Sequence, residues 1–309
     1  MNRTIVSSSS LFIRAATSSQ QRNMATLKEL KVRLGTVKTI SKLTKTLHMV
    51  ASSKLRAAEK KAEELGSFND GPAKLLAPIT SIEGLDPQNT GEERSNKQIV
   101  IGITTDTGMC GPVNHNVVRL TKGLLNADTA HQMTVNFSGL KGAVAIGQTH
   151  PASLASSARD FGKMDYSFPE SLIFLNNIIK LIPNFDAATI VFNKFKNAMV
   201  YNVATAFVPG YNLLEQHRDK FDAYQTSEDR SATMKDLSEF SLATTFWVGL
   251  FQNRASETAA RMISMDNASK NGEQISQALS LQYNRVRQAM ITSELIEITS
   301  GAAAIEEGN

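Results

Sequence analysis

Ile291-Thr292-Ser293-Glu294-Leu295-Ile296-Glu297-Ile298-Thr299-Ser300-Gly301-Ala302-Ala303-Ala304-Ile305 repeats an apolar side chain in steps of four, three, four and three. That spacing puts Ile291, Leu295, Ile298, Ala302 and Ile305 on one face of a helix. Just upstream, Leu279, Tyr283, Val286 and Met290 run on a second register of the same kind. From about Asp236 onward nothing stops a helix: no proline follows Pro209, and Gly249, Gly272 and Gly301 are the only glycines inside. About 65–70 residues of helix span on the order of 100 Å. A helix that long leans on a partner or serves as a rod.

The partner stands at the other end of the chain. Leu27, Leu30, Leu34 and Val37 form one stripe, and Leu47, Ala51, Leu55, Ala58, Ala62 and Leu65 form another, again in steps of three and four. Thr26 and Glu29 have the spacing of a capping box, which predicts the helix start there, and Gly66 is placed as a C-cap. Two terminal rods with a different kind of sequence between them predict an antiparallel coiled coil carrying a central domain.

The net charge of +4 is unevenly spread. Between Lys28 and Lys61 ten Lys or Arg face only Glu29 and Glu59, a local excess of eight. Such a surface suits an acidic partner, be it protein, membrane or nucleic acid, and is also compatible with a simple solvated face. The single cysteine, Cys110, excludes an internal disulfide and a cysteine-based zinc site. Residues 1–24 hold Arg3, Arg14 and Arg22, many hydroxyl residues and no acid, the composition of an organelle-import presequence.

Between the rods, Pro72, Pro78, Pro87, Gly71, Gly84 and Gly91 mark a linker with a helical piece around Ala73–Leu76 and a polar run at 89–97. Gln98-Ile99-Val100-Ile101-Gly102-Ile103 is a continuous apolar run of the buried-strand type. A helix is predicted over 113–125, a strand over 133–137, a loop or short helix over 139–146 and a helix over 171–182 ended by Pro183. Strands over 188–195 and 199–208 flank a hairpin turn at Lys196-Asn197. This alternation predicts an α/β, Rossmann-like domain with a mostly parallel sheet. The whole chain divides into a presequence (1–24), an N-terminal coiled-coil helix (25–66), linker and α/β domain (67–208), and a connection with the C-terminal coiled-coil helix (209–309).

The most enzyme-like feature is the loop Thr104-Thr105-Asp106-Thr107-Gly108-Met109-Cys110-Gly111 between a strand and a helix. It lacks the Gly-x-Gly-x-x-Gly spacing and no Gly-Lys-Ser/Thr follows, so no nucleotide cofactor is implied. Cys110 and His115 have no third group to orient them, and His48, His115, His131, His150 and His217 are scattered without metal-site spacing. The chain offers no catalytic, cofactor or metal site of its own. One turn of the C-terminal rod is polar instead: Asn284, Arg285, Arg287 and Gln288 crowd it, and the rod below narrows to small uncharged residues until Glu306.

Three segments carry a resemblance to a known family: 25–54, with Leu47-His48-Met49-Val50-Ala51-Ser52-Ser53-Lys54; Thr105-Asp106-Thr107-Gly108-Met109-Cys110-Gly111; and Ser256-Glu257 through Arg261-Met262 and 265–271 to Tyr283-Asn284-Arg285-Val286-Arg287-Gln288 and Ile298. The chain resembles the γ subunits of rotary ATP synthases in their mitochondrial form. It departs at Thr107, where the family usually has a basic residue, and at Pro112, where it has a small one.

The resemblance implies an axle inside a ring of α and β subunits, with its foot on the c-ring beside the other central-stalk subunits. It implies a location on the matrix side of the mitochondrial inner membrane, peripheral to it through the c-ring. It implies that catalysis belongs to the β subunits, and that Met49, Lys54, Arg287, Gln288, Thr292, Glu294 and Glu297 lie where the axle meets the ring. The rival reading of the residues, a basic coiled-coil protein whose α/β domain binds nucleic acid, explains the charge. It leaves the uncharged tip and the scarcity of aromatics in the basic region unexplained. The presequence reading makes a direct prediction: the mature protein begins between about Ala15 and Ala25. N-terminal sequencing of the chain from mitochondria checks it, and an intact Met1 overturns it.

Overall fold

The computed structural model describes residues 8–80, 97–127, 133–161, 166–183, 185–225 and 229–306, with side chains along the first helix from Leu27. The expected presequence falls on residues 1–7 and on the start of that helix, outside what is described in side-chain detail, and residues 89–96 of the polar run are likewise outside. Two compact units make up the chain: residues 1–47 with 265–309, and residues 48–264. The first is built from the ends of two long helices, α1 (Ser8–Gly66) and α7 (Arg230–Glu306). The second carries α2 (Asp70–Thr80), β1 (Gln98–Ile103), α3 (Val113–Ala127), β2 (Met133–Ser138), α4 (Leu140–Gly147), β3 (Leu154–Ala158), α5 (Phe168–Leu181), β4 (Ala187–Asn197), β5 (Val200–Pro209) and α6 (Tyr211–Gln216).

The inward line of α1 is one repeat rather than two stripes. Leu27, Leu30, Leu34, Val37, Ser41, Thr44, His48, Ala51, Leu55, Ala58, Ala62 and Leu65 are all buried or half-buried, and they alternate steps of three and four without a break. Leu47, expected on this line, is instead 36 % exposed. Helical phase explains the correction: Ser41, Thr44 and His48 keep the heptad, whereas Leu47 lies one residue off it. On α7 the matching line is Met265, Ser269, Gly272, Ser276, Leu279, Tyr283, Val286 and Met290. Ser41 donates its hydroxyl to Ser269 O at 3.3 Å, and a Cβ on Gly272 would stand 3.1 Å from the Ser41 Cβ, so the two backbones approach closely here.

Several helix ends differ from their sequence signals. α1 is already helical at Ser8, so Thr26 lies inside it and the capping box is not the start. Gly66 has right-handed angles (φ −56, ψ −39) and leads straight into a 3-10 turn at Ser67–Asn69, so it does not act as a left-handed cap. The helix expected from about Asp236 begins at Arg230. The β4–β5 turn falls at Ala198-Met199, where Asn197 Oδ1 accepts from the Met199 and Val200 amides at 3.0 and 2.8 Å.

The sheet has the order β3-β2-β1-β4-β5. β1 pairs in parallel with both β2 and β4, β2 pairs in parallel with β3, and β5 is antiparallel to β4. All of β1 is buried, as its unbroken apolar run requires, because helices cover both faces. Ile99, Ile101 and Ile103 pack with Ala188 and Ile190 against Phe174 and Ile178 of α5 and Leu242, Phe246 and Leu250 of α7. Val100, Val135, Phe137 and Val191 face the other way, onto Val117, Leu124 and Leu125 of α3 and Ile146 of α4.

One glycine is required where the sheet hands over to α4. Gly139 has φ +106, and a Cβ there would lie 2.3 Å from the Thr104 carbonyl oxygen. Gly139→Ala therefore combines a strained backbone with a clash against main chain that cannot swing aside. We expect it to destabilise the full-length chain by about 2–4 kcal/mol. Denaturant unfolding measures this; a loss below about 1 kcal/mol would mean that β1 and β2 yield at this point.

Candidate functional site

The far half of α7 sorts its side chains by register. Leu279 is buried, and Tyr283, Val286 and Met290 are half-buried. The other apolar register therefore points out: Ile291, Leu295, Ile298 and Ile305 are 48 %, 57 %, 67 % and 70 % exposed. Arg287, also exposed, stands one turn above Ile291 on the same line, and Gln288 is its exposed neighbour. Thr292 and Thr299 turn their hydroxyls back onto their own helix, to Gln288 O at 2.9 Å and Leu295 O at 3.0 Å. Their hydroxyls are thus engaged locally, which leaves the outer face with little polarity to offer. Glu294 is half-buried beside the seam, and exposed Glu297 accepts from Ser293 Oγ at 3.5 Å. The five candidates on α7 thus share one stretch of about 15 Å: Arg287 and Glu294 lie within about 20° of each other around the helix, Gln288 and Thr292 within about 40°, and Glu297 points elsewhere.

Met49 and Lys54 are both exposed on α1. Five residues apart, they point roughly 140° away from each other around the helix. Met49 instead neighbours an outer apolar stripe that sequence reasoning did not isolate: Ile40, Leu43, Leu47 and Val50, exposed by 51 %, 59 %, 36 % and 46 %. Their steps of three, four and three carried the signal, hidden because Leu47 fitted the inner stripe nearly as well. Exposed Lys38, Lys42, Lys45 and Lys54 lie around it, so this face is apolar and basic together.

The glycine-bearing loop after β1 is closed on itself. Leu140 N, at the start of α4, donates to Asp106 Oδ1 at 2.8 Å. Lys141 N donates to Thr105 O at 3.1 Å and Gly142 N to Thr104 Oγ1 at 3.1 Å. The amino end of α4, where an anion could bind, thus already holds a carboxylate of its own chain. Asn114 accepts from Thr105 N at 2.9 Å and donates to Thr105 Oγ1 at 2.8 Å, which ties α3 back to β1. Cys110 is buried against Val113 and Ala260. Burial first, and the Glu257 carboxylate next, push its thiol above the ordinary 9.0, the reverse of an activated nucleophile. Among the described residues no group of three His, Cys, Asp or Glu could hold a metal, and no helix is long and apolar enough to cross a membrane.

Residues 26–305 match the protein family described as ATP synthase. A Dictyostelium discoideum protein, the mitochondrial ATP synthase F(1) complex subunit gamma, is 63 % identical over 98 % of this chain and 99 % of its own length. The chain belongs to the ATP synthase γ-subunit family. A chain in the central stalk and c-ring structure of the Tetrahymena thermophila mitochondrial ATP synthase is 25 % identical, with a TM-score of 0.62 over 74 % of this chain and 99 % of that one. A chain in the Euglena gracilis mitochondrial ATP synthase assembly of OSCP, F1 and c-ring shares the fold, with a TM-score of 0.74 at 22 % identity over 92 % of this chain and 96 % of that one.

Two buried groups of this γ-family chain should make the α/β domain sensitive to alkali. Burial first, then the Glu257 carboxylate, raise the Tyr166 phenol to about 12, with Arg254 over its ring at 5.4 Å opposing them. Cys110 and Tyr166 both hold their protons more tightly when folded, so their contribution is complete below the ordinary values of 9.0 and 10.0. It is lost as pH climbs through the raised, folded values. Thermal melting of the full-length chain should be level from neutrality to about pH 9 and fall above it, and Tyr166→Phe should lessen the fall above about pH 10, the rest belonging to Tyr201, whose phenol burial also raises. A parallel decline in Tyr166→Phe overturns the assignment.

Proposed function

We propose that this chain is the central-stalk rotor, or axle, of a mitochondrial ATP synthase. It couples proton-driven rotation of the c-ring to ATP synthesis on the surrounding ring of α and β subunits. It performs no bond chemistry itself; the ATP sites belong to the β subunits. The observation that carries this reading is the outer register of α7. Ile291, Leu295, Ile298 and Ile305 are exposed, Arg287 heads their line, and no charge intervenes between Glu297 and Glu306. An exposed apolar line on a slender helix end fits a sleeve that excludes water without gripping.

In this reading Arg287 and Gln288, with Thr292, Glu294 and Glu297, are the contacts that form and break with the α and β subunits as the rotor turns. Met49 and Lys54 meet the same ring from α1. A charge-assisted contact of this kind contributes about 1.5–3 kcal/mol while it exists. Rotation biases the β subunits because such contacts differ between their states; contacts equal in every state would shift none. The foot rests on the c-ring with the other central-stalk subunits, which holds the chain peripheral to the inner membrane on the matrix side. Residues 1–24 act as the import presequence, followed by coiled-coil helix (25–66), linker and α/β domain (67–208), and connection with coiled-coil helix (209–309).

The tip separates an axle in a sleeve from an ordinary coiled coil. Ala303→Arg places a large cation in an apolar bearing, and burying an unpaired charge is costly unless the surroundings relax. Deleting everything after Ser300 removes only small side chains and Ile305 before Glu306. We expect Ala303→Arg to impair assembly or rotation and the truncation to be tolerated at reduced rate. Whole complexes purified with each variant, compared for subunit content and ATP hydrolysis, check this. Parental assembly and turnover in Ala303→Arg would show that the tip is not enclosed.

A further inference from the structure

In doubly wound folds ligands enter at the carboxyl edge of the sheet, where neighbouring connections run off to opposite faces and leave a crevice. Here that switch point lies between β1 and β4, and the occupant is the chain's own α7. A Cβ on Gly249 would come within 3.0 Å of Ile103 Cδ1, so the helix rests directly on the end of β1. Gln252 Oε1 accepts from Phe195 N at 3.1 Å while its Nε2 donates to Ala62 O at 3.1 Å, joining β4, α7 and α1. Asn193 Nδ2 donates to Asn253 Oδ1 at 2.8 Å and to Val113 O, the first residue of α3, at 3.3 Å. Ser256 Oγ donates to Asn193 O at 3.1 Å. Asn193, Asn253 and Ser256 are wholly buried, so these bonds are shielded from competing water.

At the rim of the crevice a smaller network closes. Arg261 donates from Nη2 to both Thr107 Oγ1, at 2.8 Å, and Glu257 Oε1, at 2.5 Å. The Thr107 hydroxyl in turn faces Glu257 Oε1 at 3.4 Å, completing a three-membered ring. The Arg261 and Glu257 side chains are only 24 % and 12 % exposed, so their attraction is less screened than that of a surface pair. Glu257 and Arg261 are one turn apart on α7, whereas Thr107 belongs to the loop between β1 and α3. That loop carries Met109 at φ 62 and Gly111 at φ 58. A left-handed methionine is strained and persists only where its surroundings hold it.

We propose that Thr107, Glu257 and Arg261 form a clasp that positions the β1–α3 loop on α7, so that sheet and helix move as one body. Arg261 is the positioning residue: its bond to the Thr107 hydroxyl, at 2.8 Å, is the shorter of the two that hold the loop, Glu257 meeting the same hydroxyl at 3.4 Å. The clasp stands on these contacts alone; its mechanical consequence, tight transfer of torque between the α/β domain and the axle, rests on the rotor reading.

The test uses assembled synthase carrying Arg261→Ala, Arg261→Lys or Thr107→Val, with two readouts. Amide hydrogen exchange over 105–111 reports the clasp, and protons pumped per ATP hydrolysed report torque transfer. Arg261→Ala should speed exchange of the loop about tenfold. Thr107→Val should do the same in part, and the double variant should add little to Arg261→Ala because the two share one network. Arg261→Lys should recover some protection, and the pumping ratio should fall in the order of the loosening while hydrolysis continues. Unchanged exchange in Arg261→Ala overturns the clasp. If that variant does not assemble, unchanged exchange in Thr107→Val, which keeps the ion pair, overturns it instead. Faster exchange with an unaltered pumping ratio overturns the mechanical role and leaves the clasp. Parental complexes whose pumping does not depend on this chain would instead refute the rotor reading.

Discussion

A helix of seventy-seven residues is held only where one of its faces is kept from water, and that constraint governs the rest of this chain. The dry line runs through α1 as an unbroken alternation of three and four. It passes through leucines at the start and alanines near the end, with Ser41 and Thr44 between them. The small residues let the backbones close in, which the Ser41 hydroxyl bond to Ser269 O and the crowded Gly272 make concrete. Holding the seam dry on one side leaves the remaining apolar residues of both helices outside. The outer lines of Ile40–Val50 and Ile291–Ile305 have no place in that seam and face outward.

Much of this was legible from residue spacing alone. The β1 run, the α/β alternation and the two terminal rods all follow from apolar periodicity, since burial on one or two faces leaves a direct mark on composition. What escaped has a common cause. The inner stripe was lost at Ser41 and Thr44 because a heptad position filled by a hydroxyl looks polar until its partner backbone is known. β3, whose Leu154-Ala155-Ser156-Ser157-Ala158 is short and barely apolar, gave no periodic signal at all. Gly66 and Thr26 carried sound local signals that the continuing helix overrode. The α7 candidates rest on family likeness, and the structure separates exposed Arg287 from half-buried Glu294, seven residues on and on nearly the same side of the helix.

The loop after β1 shows why a motif and a site are different things. Its glycines, hydroxyls and carboxylate are the ingredients of an anion cradle, but Asp106 already caps α4, and Asn114 and Thr104 satisfy the neighbouring amides. The loop residues alone do not reveal this, because the α4 amides that meet Asp106 and Thr104 come from more than thirty residues downstream, even though Asn114 stands only nine residues after Thr105. The crevice beside it is filled by Gln252, Asn253 and Ser256 of α7, which stand more than fifty residues downstream of β4. A fold that elsewhere receives small molecules here receives its own backbone.

The alternation of three and four along α1 has one more consequence. A seam that recurs every 3.5 residues on a helix of 3.6 residues per turn drifts around it and draws the pair into a left-handed supercoil. Such a two-stranded rope is chiral as a machine element. Twist in one sense winds the strands together and presses Ser41 toward Gly272; twist in the other sense unwinds them and draws the same contact apart. Load applied clockwise and load applied counter-clockwise therefore meet different resistance in one and the same pair of helices.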